Sequence, residues 1–256
     1  MKRRVQFFFL LTFLWICSSG IAQVAPDSIK KVHPYLYKNV IRYNISGAML
    51  FGLTDFVILG YERITGPHQS FSVNLGRVTL PSVFGLDLDS VNIEKNRKRG
   101  GVNFSVDYRF YLPRENKNTI PNGLYIGPFY SYNGFRGETE WTYKKDQGNS
   151  SISTETKFNI HTIGFEMGYQ FVLWKRLTLD VLVVGPGFGF YNLKAKLSRH
   201  VDDETKRQLF DGLEEIVTEK FPGMNVVFSD SEIESNGTMR TSSWGYRYLV
   251  HIGFLF

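Results

Sequence analysis

Apolar and polar residues alternate with a period of two along much of the chain after residue 40. The clearest segment is Val102–Leu112, where Val, Phe, Val, Tyr, Phe and Leu occupy every second position. A period of two is typical of a β-strand that has one apolar and one polar face. The segment Trp244–Phe256 repeats the pattern, and noisier segments of the same kind lie near residues 43–51, 55–64, 71–80, 124–141, 160–173 and 176–193. Eight strands are therefore predicted.

The links between these predicted strands differ in length in an ordered way. Short links at 65–70, 113–123 and 174–175 alternate with long ones at 81–101, 142–159 and 194–240, and the short link 52–54 is an exception. Bacterial outer-membrane barrels have an even number of antiparallel strands, short periplasmic turns and longer extracellular loops. The sequence therefore predicts an all-β fold, an eight-stranded antiparallel transmembrane β-barrel with long extracellular loops, over residues 40–256.

The longest link, the extracellular loop 194–240, is predicted to contain one loop helix near residues 203–221. Leu209, Leu213 and Ile216 follow the spacing of one helix face, and Pro222 comes directly after the pattern. An apolar helix face needs a partner. We expect this one either to pack on the mouth of the barrel or to bind a protein partner at the cell surface.

The first 22 residues have the three parts of an export signal. Basic residues at positions 2–4 precede an apolar run of about 12 residues, which is too short to span a bilayer, and small residues lead up to Ala22. We predict a signal peptide at 1–22, a periplasmic tail at 23–39 and the cell outer membrane as the location. Cys17 is the only cysteine and lies in this leader, so the mature chain would form no disulfide.

Composition narrows the function classes only in part. Aromatic residues make up 16% of the chain, which fits the aromatic girdles of outer-membrane barrels, although a tyrosine-rich β-sandwich would show the same value. Three of the 30 basic residues lie in the leader, so the net charge of +6 gives no case for a nucleic-acid partner. The histidines lie far apart in sequence, so no metal site is predicted, and no cofactor site or catalytic residue is predicted either.

Alternation also places a set of charged residues on the inward faces of the predicted strands. An eight-stranded barrel is only wide enough for its own side chains, so these charges must pair with one another. The predicted lumen charge network is Arg42, Glu62, Asp107, Arg109, Glu166, Asp180, Arg247 and His251, with Gln170 beside them. We interpret it as a salt-bridge plug. A proton or ion path remains an alternative, and so does a hydrolytic site oriented by His251 with Glu166 or Asp180.

Two further sets of residues are predicted to lie at the membrane surface. The first set is basic and falls in the predicted loop 81–101: Lys95, Arg97, Lys98 and Arg99. Because guanidinium groups match phosphate geometry, these residues are predicted to contact lipopolysaccharide, the alternative being an ordinary solvated loop. The second set forms one face of the last strand: Tyr248, Val250, Ile252, Phe254 and Phe256. We expect this face to contact lipid.

Four blocks of sequence resemble a known family. They are YRFYL at 108–112, PNGLYIGPF at 121–129, GFEMGYQ at 164–170 and KRLTLD at 175–180. Over residues 40–193 and the aromatic last strand, the chain resembles small outer-membrane proteins of Bacteroidota-type bacteria, a domain-of-unknown-function family in the outer-membrane β-barrel superfamily. The resemblance implies the fold and the location and implies no catalytic residues. The apolar face ending at Phe256 is similar to the assembly signal of such barrels, which implies the barrel-assembly machinery as a partner during biogenesis.

The sequence therefore favours a non-enzymatic protein with a structural or surface-interaction role, or an accessory subunit of a larger envelope complex. Its expected surroundings are outer-membrane lipid and lipopolysaccharide, with a protein partner bound through the 194–240 loop. Two alternatives stay open. One is an outer-membrane enzyme that modifies lipid A, and the other is a narrow ion or solute channel.

Overall fold

The computed structural model describes residues 37–51, 54–79, 87–88, 91–113, 120–145, 148–197, 207 and 237–256. Most of them form β-strands: β1 (Asn39–Asn44), β2 (Phe56–Gly66), β3 (Gln69–Val78), β4 (Asp87–Leu88), β5 (Val91–Tyr111), β6 (Gly123–Lys145), β7 (Gly148–Leu173), β8 (Leu177–Val184), β9 (Pro186–Leu197), β10 (Thr238–Tyr246) and β11 (Leu249–Leu255). A short helix, α1, spans Ile45–Phe51. Within these ranges no helix combines the length and the apolar character needed to cross a membrane.

The strands form one antiparallel sheet that closes into a barrel. The order around the barrel is β1-β2-β3-β5-β6-β7-β8-β11, and β11 pairs with β1 to complete the circle, for example His251 with Asn44. The prediction of an eight-stranded antiparallel β-barrel is therefore confirmed. β9 and β10 prolong two of these strands, because β9 follows β8 after Gly185 and β10 precedes β11. β9 pairs with β7 on one side and with β10 on the other.

The two faces of the barrel wall differ in polarity, and the polar face is inside. On β3 the side chains of Ser70, Ser72 and Asn74 are buried, whereas the alternate Phe71 and Leu75 are exposed. The other strands repeat this arrangement, and exposed apolar residues elsewhere include Val57, Leu59, Val102, Phe104, Ile126, Ile163, Phe165, Phe171, Ile252 and Phe254. A water-soluble barrel has the opposite arrangement, with apolar side chains inside and polar ones outside.

Both terminal strands meet at one end of the barrel, which we call the terminal end. The Asn39 amide donates a hydrogen bond of 3.0 Å to the Phe256 carbonyl oxygen, and the Phe256 amide donates one of 2.8 Å to the Asn39 carbonyl oxygen. The tight turn between β7 and β8 lies at the same end. Trp174 and Lys175 have φ values of 48° and 67° there, as a two-residue turn between twisted strands requires. We call the opposite end the hairpin end.

The predicted first strand at 43–51 is wrong in its position. β1 covers Asn39–Asn44 and thus begins inside the predicted tail, and the rest of the segment is helix α1. The Asn44 side chain explains the change, because its Oδ1 accepts hydrogen bonds from the Gly47 amide at 3.2 Å and from Ser46 Oγ at 2.8 Å. An asparagine that accepts from the amide three residues later caps the first turn of a helix. The strand therefore stops where the cap begins.

Two predicted loops, 81–101 and 142–159, are also wrong over much of their length. β5, β6 and β7 contain 21, 23 and 26 residues, whereas a tilted strand needs only about 9–11 residues to cross a bilayer. The pairing of β6 with β7 continues without interruption to Lys145 and Gly148. These strands extend past the ends of β2 and β3, and their extensions carry many polar residues. We call residues 91–101, 134–145 and 148–158 the projecting sheet.

The predicted loop 194–240 is shorter than expected at both of its ends. β9 continues to Leu197, and β10 begins at Thr238. The predicted loop helix near 203–221 lies outside the described residues, of which only Arg207 falls in that range. The predicted signal peptide at 1–22 lies outside them as well.

Candidate functional site: charge cluster and interior cavity

Charged side chains from around the barrel meet in its interior, in the half nearer the terminal end. They come from β1, β2, β5, β7, β8, β11 and the link before β11, and they are the residues that alternation predicted: Arg42, Glu62, Asp107, Arg109, Glu166, Asp180, Arg247 and His251. We call these eight residues the charge cluster. All except Arg247 are buried, with at most 2% of their surface exposed.

Two arginines and two aspartates form the centre of the charge cluster. Asp180 Oδ2 accepts hydrogen bonds from Arg109 Nη2 at 2.9 Å and from Arg42 Nη1 at 3.2 Å. Asp107 accepts from Arg109 Nε at 2.8 Å and from Arg42 Nη2 at 3.2 Å. Each arginine therefore bridges both aspartates. Since charged groups buried without partners are strongly unfavourable, this mutual pairing is what allows the four charges to stay inside.

Neutral polar side chains complete the hydrogen bonds of this centre. Ser72 Oγ donates to Asp107 Oδ2 in a short contact and accepts a hydrogen bond of 2.6 Å from Arg42 Nη2. Tyr125 Oη donates to Asp180 Oδ1 at 2.7 Å, and its ring lies 4.2 Å below the Arg109 guanidinium carbon. With Ser72 on β3 and Tyr125 on β6, every one of the eight barrel strands contributes a side chain to the network.

A second layer of the network surrounds Glu62. Its Oε1 accepts from Ser70 Oγ at 2.6 Å and lies 3.0 Å from Tyr111 Oη, and its Oε2 accepts from Gln170 Nε2 at 3.2 Å. Gln170 Oε1 in turn accepts from Arg109 Nη1 at 3.2 Å. This layer connects Glu62 to the central arginine and fills the barrel toward the terminal end.

Glu166, Arg247 and His251 are held less tightly than the centre. The Glu166 oxygens lie 3.7 Å from Arg109 Nε and from Arg247 Nη1, and neither oxygen has a hydrogen-bond partner among the described residues. The Arg247 guanidinium carbon stacks 4.7 Å from the centre of the Phe129 ring. His251 Nδ1 lies 3.3 Å from Asp180 Oδ2. These three residues form the side of the cluster that faces the hairpin end.

The hydrolytic site considered from the sequence stays a prediction. His251 approaches Asp180, as that hypothesis requires, but only 2% of its surface is exposed. Within the described ranges there is no group of three or more histidine, cysteine, aspartate or glutamate side chains that could hold a metal ion. The ion pairs of the cluster neutralise most of its buried charge.

A cavity of about 320 Å³ adjoins the charge cluster on the side of the hairpin end. We call it the interior cavity. Its polar lining includes Arg247 and His251 of the charge cluster, three tyrosines, and many short amides and hydroxyls: Asn44, Asn74, Asn103, Asn133, Ser46, Ser105, Ser131 and Thr162. A row of glycines forms another part of its wall: Gly185, Gly187, Gly189 and Gly245. Because glycine has no side chain, this wall leaves room that larger residues would fill.

An apolar cluster lies beyond the interior cavity, toward the hairpin end. Its buried members come from both sides of the barrel: Phe56, Ile58, Val78, Phe135, Phe158, Leu193, Ala195 and Met239. From the terminal end to the hairpin end, the interior as a whole therefore changes from charged to short polar to apolar side chains. The interior cavity lies between the charge cluster and the apolar cluster.

The basic stretch at positions 95–99 is not in a loop, which corrects the prediction for Lys95, Arg97, Lys98 and Arg99. It belongs to β5 and to the projecting sheet. The register places Lys95 opposite Glu140 and Lys98 opposite Glu138 on β6, so acidic residues neighbour this basic stretch. Elsewhere on the projecting sheet, Lys157 Nζ lies 3.0 Å from Glu155 Oε1, and its hydrogen bond lowers the pKa of the Glu155 carboxyl.

The predicted lipid-facing residues of the last strand lie on its outer face. Tyr248, Ile252, Phe254 and Phe256 are exposed, and Val250 is partly exposed. The strand is interrupted at Arg247 and Tyr248, between β10 and β11. That interruption was not predicted from the alternation, because it changes the hydrogen bonding without changing the pattern of faces.

Several members of the network were missed by sequence reasoning. Ser72, Tyr111 and Tyr125 are neutral and therefore do not stand out in a search for charges. Only the position of such a residue in the alternation indicates that it points inward. Ser70, Ser72 and Asn74, for example, occupy alternate positions on one strand. The interior cavity had no sequence signal that could be separated from the ordinary glycines of a barrel.

Comparison with known proteins adds no name to this geometry. No protein-family model matches the chain, and no curated protein matches it. The resemblance to small outer-membrane proteins of Bacteroidota-type bacteria stays a prediction.

Proposed function

We propose that this chain is a non-enzymatic small β-barrel of the outer membrane, closed inside by the charge cluster, that acts through its surface. Its role would be structural or interactive, including that of an accessory subunit in a larger envelope complex. One observation carries the proposal, namely the inverted polarity of the barrel. Buried ions lie inside the wall, and large apolar side chains such as Phe165, 70% exposed, lie outside it.

An apolar outer face of this kind is favoured in contact with lipid. Transfer of apolar surface out of water contributes roughly 25 cal/mol for each Å², so a continuous exposed apolar belt strongly disfavours an aqueous location. Exposed aromatic residues lie near both edges of the belt, with Trp174 at the terminal end and Trp244 on β10. Aromatic girdles of this kind mark the two interfaces of outer-membrane barrels. The export signal predicted at 1–22 supports the same location.

We expect contacts with other molecules at the hairpin end. The projecting sheet extends β5, β6 and β7 past the neighbouring strands, and the link 198–236 leaves from the same end. The basic positions Lys95, Arg97, Lys98 and Arg99 also lie there, where phosphates of lipopolysaccharide would be met if this end is extracellular. We propose this end as the surface for lipopolysaccharide and for a protein partner.

Purification from the native outer membrane tests the proposed role. A tagged chain, extracted from the outer-membrane fraction in mild detergent, is expected to begin at Gln23 and to carry a partner in fixed stoichiometry. Deletion of residues 198–236 is expected to release that partner while the barrel stays in the membrane. A chain found in the periplasm would contradict the location, and a chain purified alone would contradict the accessory-subunit role. Mass spectra of lipid A from cells with and without the protein are expected to be identical.

Planar-bilayer recordings test whether the lumen is closed. The charge cluster fills the barrel with paired side chains, so we expect no discrete conductance steps from the purified protein in 1 M salt. An established porin added afterwards to the same bilayer serves as the positive control. Reproducible single-channel events from this protein would support the channel alternative and would contradict a closed interior.

A further inference from the structure

Three basic residues lie side by side on the outer face of the sheet, near the hairpin end. Arg136 of β6 pairs with Lys157 of β7, and Lys157 pairs with Lys194 of β9. The adjacent residues Phe135 and Phe158 are buried, and successive side chains of a strand point to opposite faces, so the basic side chains point outward. We call Arg136, Lys157 and Lys194 the cation row.

The cation row is unfavourable by itself. Residues directly opposite each other on neighbouring strands have Cβ atoms about 4.5–5.5 Å apart, and like charges in such positions destabilise a sheet. Lys157 is partly neutralised, because its Nζ lies 3.0 Å from Glu155 Oε1. Arg136 and Lys194 have no ion-pair partner among the described residues. An anion bound along the row would therefore offset this repulsion.

The positions next to the cation row leave room for such an anion. On the side of the terminal end, the adjoining outward positions on the same three strands are Gly134, Asn159 and Asn192, which carry no charge. On β5, Gly100 lies opposite Arg136. A Cβ added to Gly100 would have no atom of the described residues within 4 Å, so the space beside Arg136 is open.

Two carboxylates lie one row farther toward the hairpin end, but lysines flank them. Glu138 on β6 faces Glu155 on β7. Lys98 faces Glu138 from β5, and Lys196 faces Glu155 from β9. This outer row is therefore balanced in formal charge and leaves the positive charge of the cation row in place.

The cation row also lies just past the apolar belt. On β7 the outward positions from Leu173 to Ile163 are all apolar or aromatic, and this interval is about as long as the 9–11 residues that a tilted strand needs to cross a bilayer. His161 and Asn159 follow, and then Lys157. The rings of His161 and Tyr132 lie 4.9 Å apart, as part of an aromatic border. In the proposed membrane the row is therefore at the depth of lipid head groups.

From this geometry we propose that the cation row binds the phosphate groups of lipopolysaccharide, whose acyl chains pack on the apolar belt beside it. The inference rests on the proposed outer-membrane location, with the hairpin end outside. It deepens the proposed lipopolysaccharide contact, because it assigns that contact to β6, β7 and β9 rather than to the basic stretch at 95–99.

The width of the row and its surroundings favour this lipid over other sources of phosphate. Guanidinium and ammonium groups are common partners of phosphate in proteins. Neighbouring strands lie about 4.8 Å apart, so a row across three strands is about 10 Å wide and suits a head group with more than one phosphate. Free phosphate would gain nothing from the apolar belt. Beyond the row, Glu138 and Lys196 offer an acceptor and a donor for the hydroxyl groups of a sugar.

A paired variant, Arg136→Gln with Lys194→Gln, tests the cation row. It removes two exposed charges and keeps Lys157 with its ion pair. Because like-charge repulsion is relieved, the variant is expected to fold without loss of stability in the absence of lipopolysaccharide. The matched control is Lys175→Gln with Arg176→Gln, which removes one lysine and one arginine that are exposed at the terminal end.

The experiment titrates the full mature chain, purified in a non-ionic detergent, with bisphosphorylated lipid A and counts the bound lipids by native mass spectrometry. The parent chain is expected to retain lipid A. The paired variant is expected to bind it about tenfold more weakly or worse, and the terminal-end control is expected to bind it like the parent. Lipid A stripped of its phosphates and phosphatidylglycerol, which has one phosphate, are both expected to bind the parent more weakly.

Four outcomes would overturn the inference. Equal binding of lipid A to the paired variant and the parent would exclude the cation row as the site. Equal binding of phosphate-free lipid A would exclude phosphate as the ligand, and equal binding of phosphatidylglycerol would exclude the choice of lipopolysaccharide. Binding that appears only after deletion of residues 198–236, which include more acidic than basic residues, would assign the row to that segment.

The failure of this inference can be distinguished from a failure of the proposed function. Heat-dependent mobility on gels reports whether the parent and the variants have formed the barrel. A folded barrel that is found in the outer membrane but fails the lipid A titration would overturn the cation row as a site and leave the proposed location intact. A chain found in the periplasm would overturn the location itself.

Discussion

Replacement of Arg109 by methionine is expected to lower the free energy of unfolding of the barrel by about 3–5 kcal/mol, as when one partner of a buried ion pair is removed. Arg109 donates hydrogen bonds to Asp107, Asp180 and Gln170, and 1% of its surface is exposed. Its loss leaves two aspartates with one arginine between them. Methionine keeps much of the side-chain volume, so the effect reports charge rather than an empty space.

Urea titrations of the chain in phospholipid vesicles, followed by the gel shift between folded and unfolded barrel, measure this effect. Arg240→Met is the matched control, because Arg240 is exposed on β10, and it is expected to change the free energy of unfolding by less than about 0.5 kcal/mol. The double variant Arg109→Met with Asp107→Leu is expected to recover part of the loss, since it removes an uncompensated carboxylate. A loss below about 1 kcal/mol for Arg109→Met would show that the network contributes little.

Replacement of Phe165 by arginine is expected to destabilise the folded barrel by about 2–4 kcal/mol in a bilayer, the range for a cation on the lipid face near the midplane. Phe165 is exposed on the outer face of β7, in the part of that strand that runs alongside β6 in the barrel wall. In water the same change would be nearly neutral or favourable, because an exposed phenylalanine is replaced by a solvated charge. The sign of the effect therefore distinguishes a lipid-facing wall from a water-facing one.

Two controls define the measurement for Phe165→Arg. Phe165→Leu keeps the side chain apolar and is expected to change stability far less. Trp174→Arg places the same cation in the exposed turn at the terminal end, where a cost of about 0–1 kcal/mol is expected for a position near the interface. Equal effects of Phe165→Arg and Trp174→Arg would contradict a membrane whose centre lies at Phe165.

The alternation of residues was enough to predict the faces of the strands and the membership of the charge cluster. It could do so because successive side chains of a strand point to opposite faces. Within each predicted strand, the charged residues on the face opposite to the apolar one were therefore expected to point inward. Alternation could not predict where a strand ends. The helix at Ile45–Phe51 depends on the capping bonds of Asn44, and these are local and independent of the apolar pattern.

Other features depend on contacts between distant parts of the chain and therefore left no local signal. Residues 91–101 and 142–158 of the projecting sheet were interpreted as loops because their sequence lacks a sustained apolar alternation. The end of β1 at Asn44 and the interruption at Arg247 lie far apart in sequence, and neither changes the alternation of faces. The partners of Glu62, such as Tyr111 and Gln170, became apparent only when the register brought β2, β5 and β7 together.

The way in which Arg42 and Asp180 are paired also has a consequence for how the barrel folds. They lie 138 positions apart, on β1 and β8, and His251 joins them from the last strand. A sheet that has not yet closed would hold these charges without their counterions at its open edges. Closure of the circle and neutralisation of the charges are then a single cooperative event. Partly closed intermediates would be sparsely populated at equilibrium. A chain inserted with its strands out of register would lose several of these ion pairs at once.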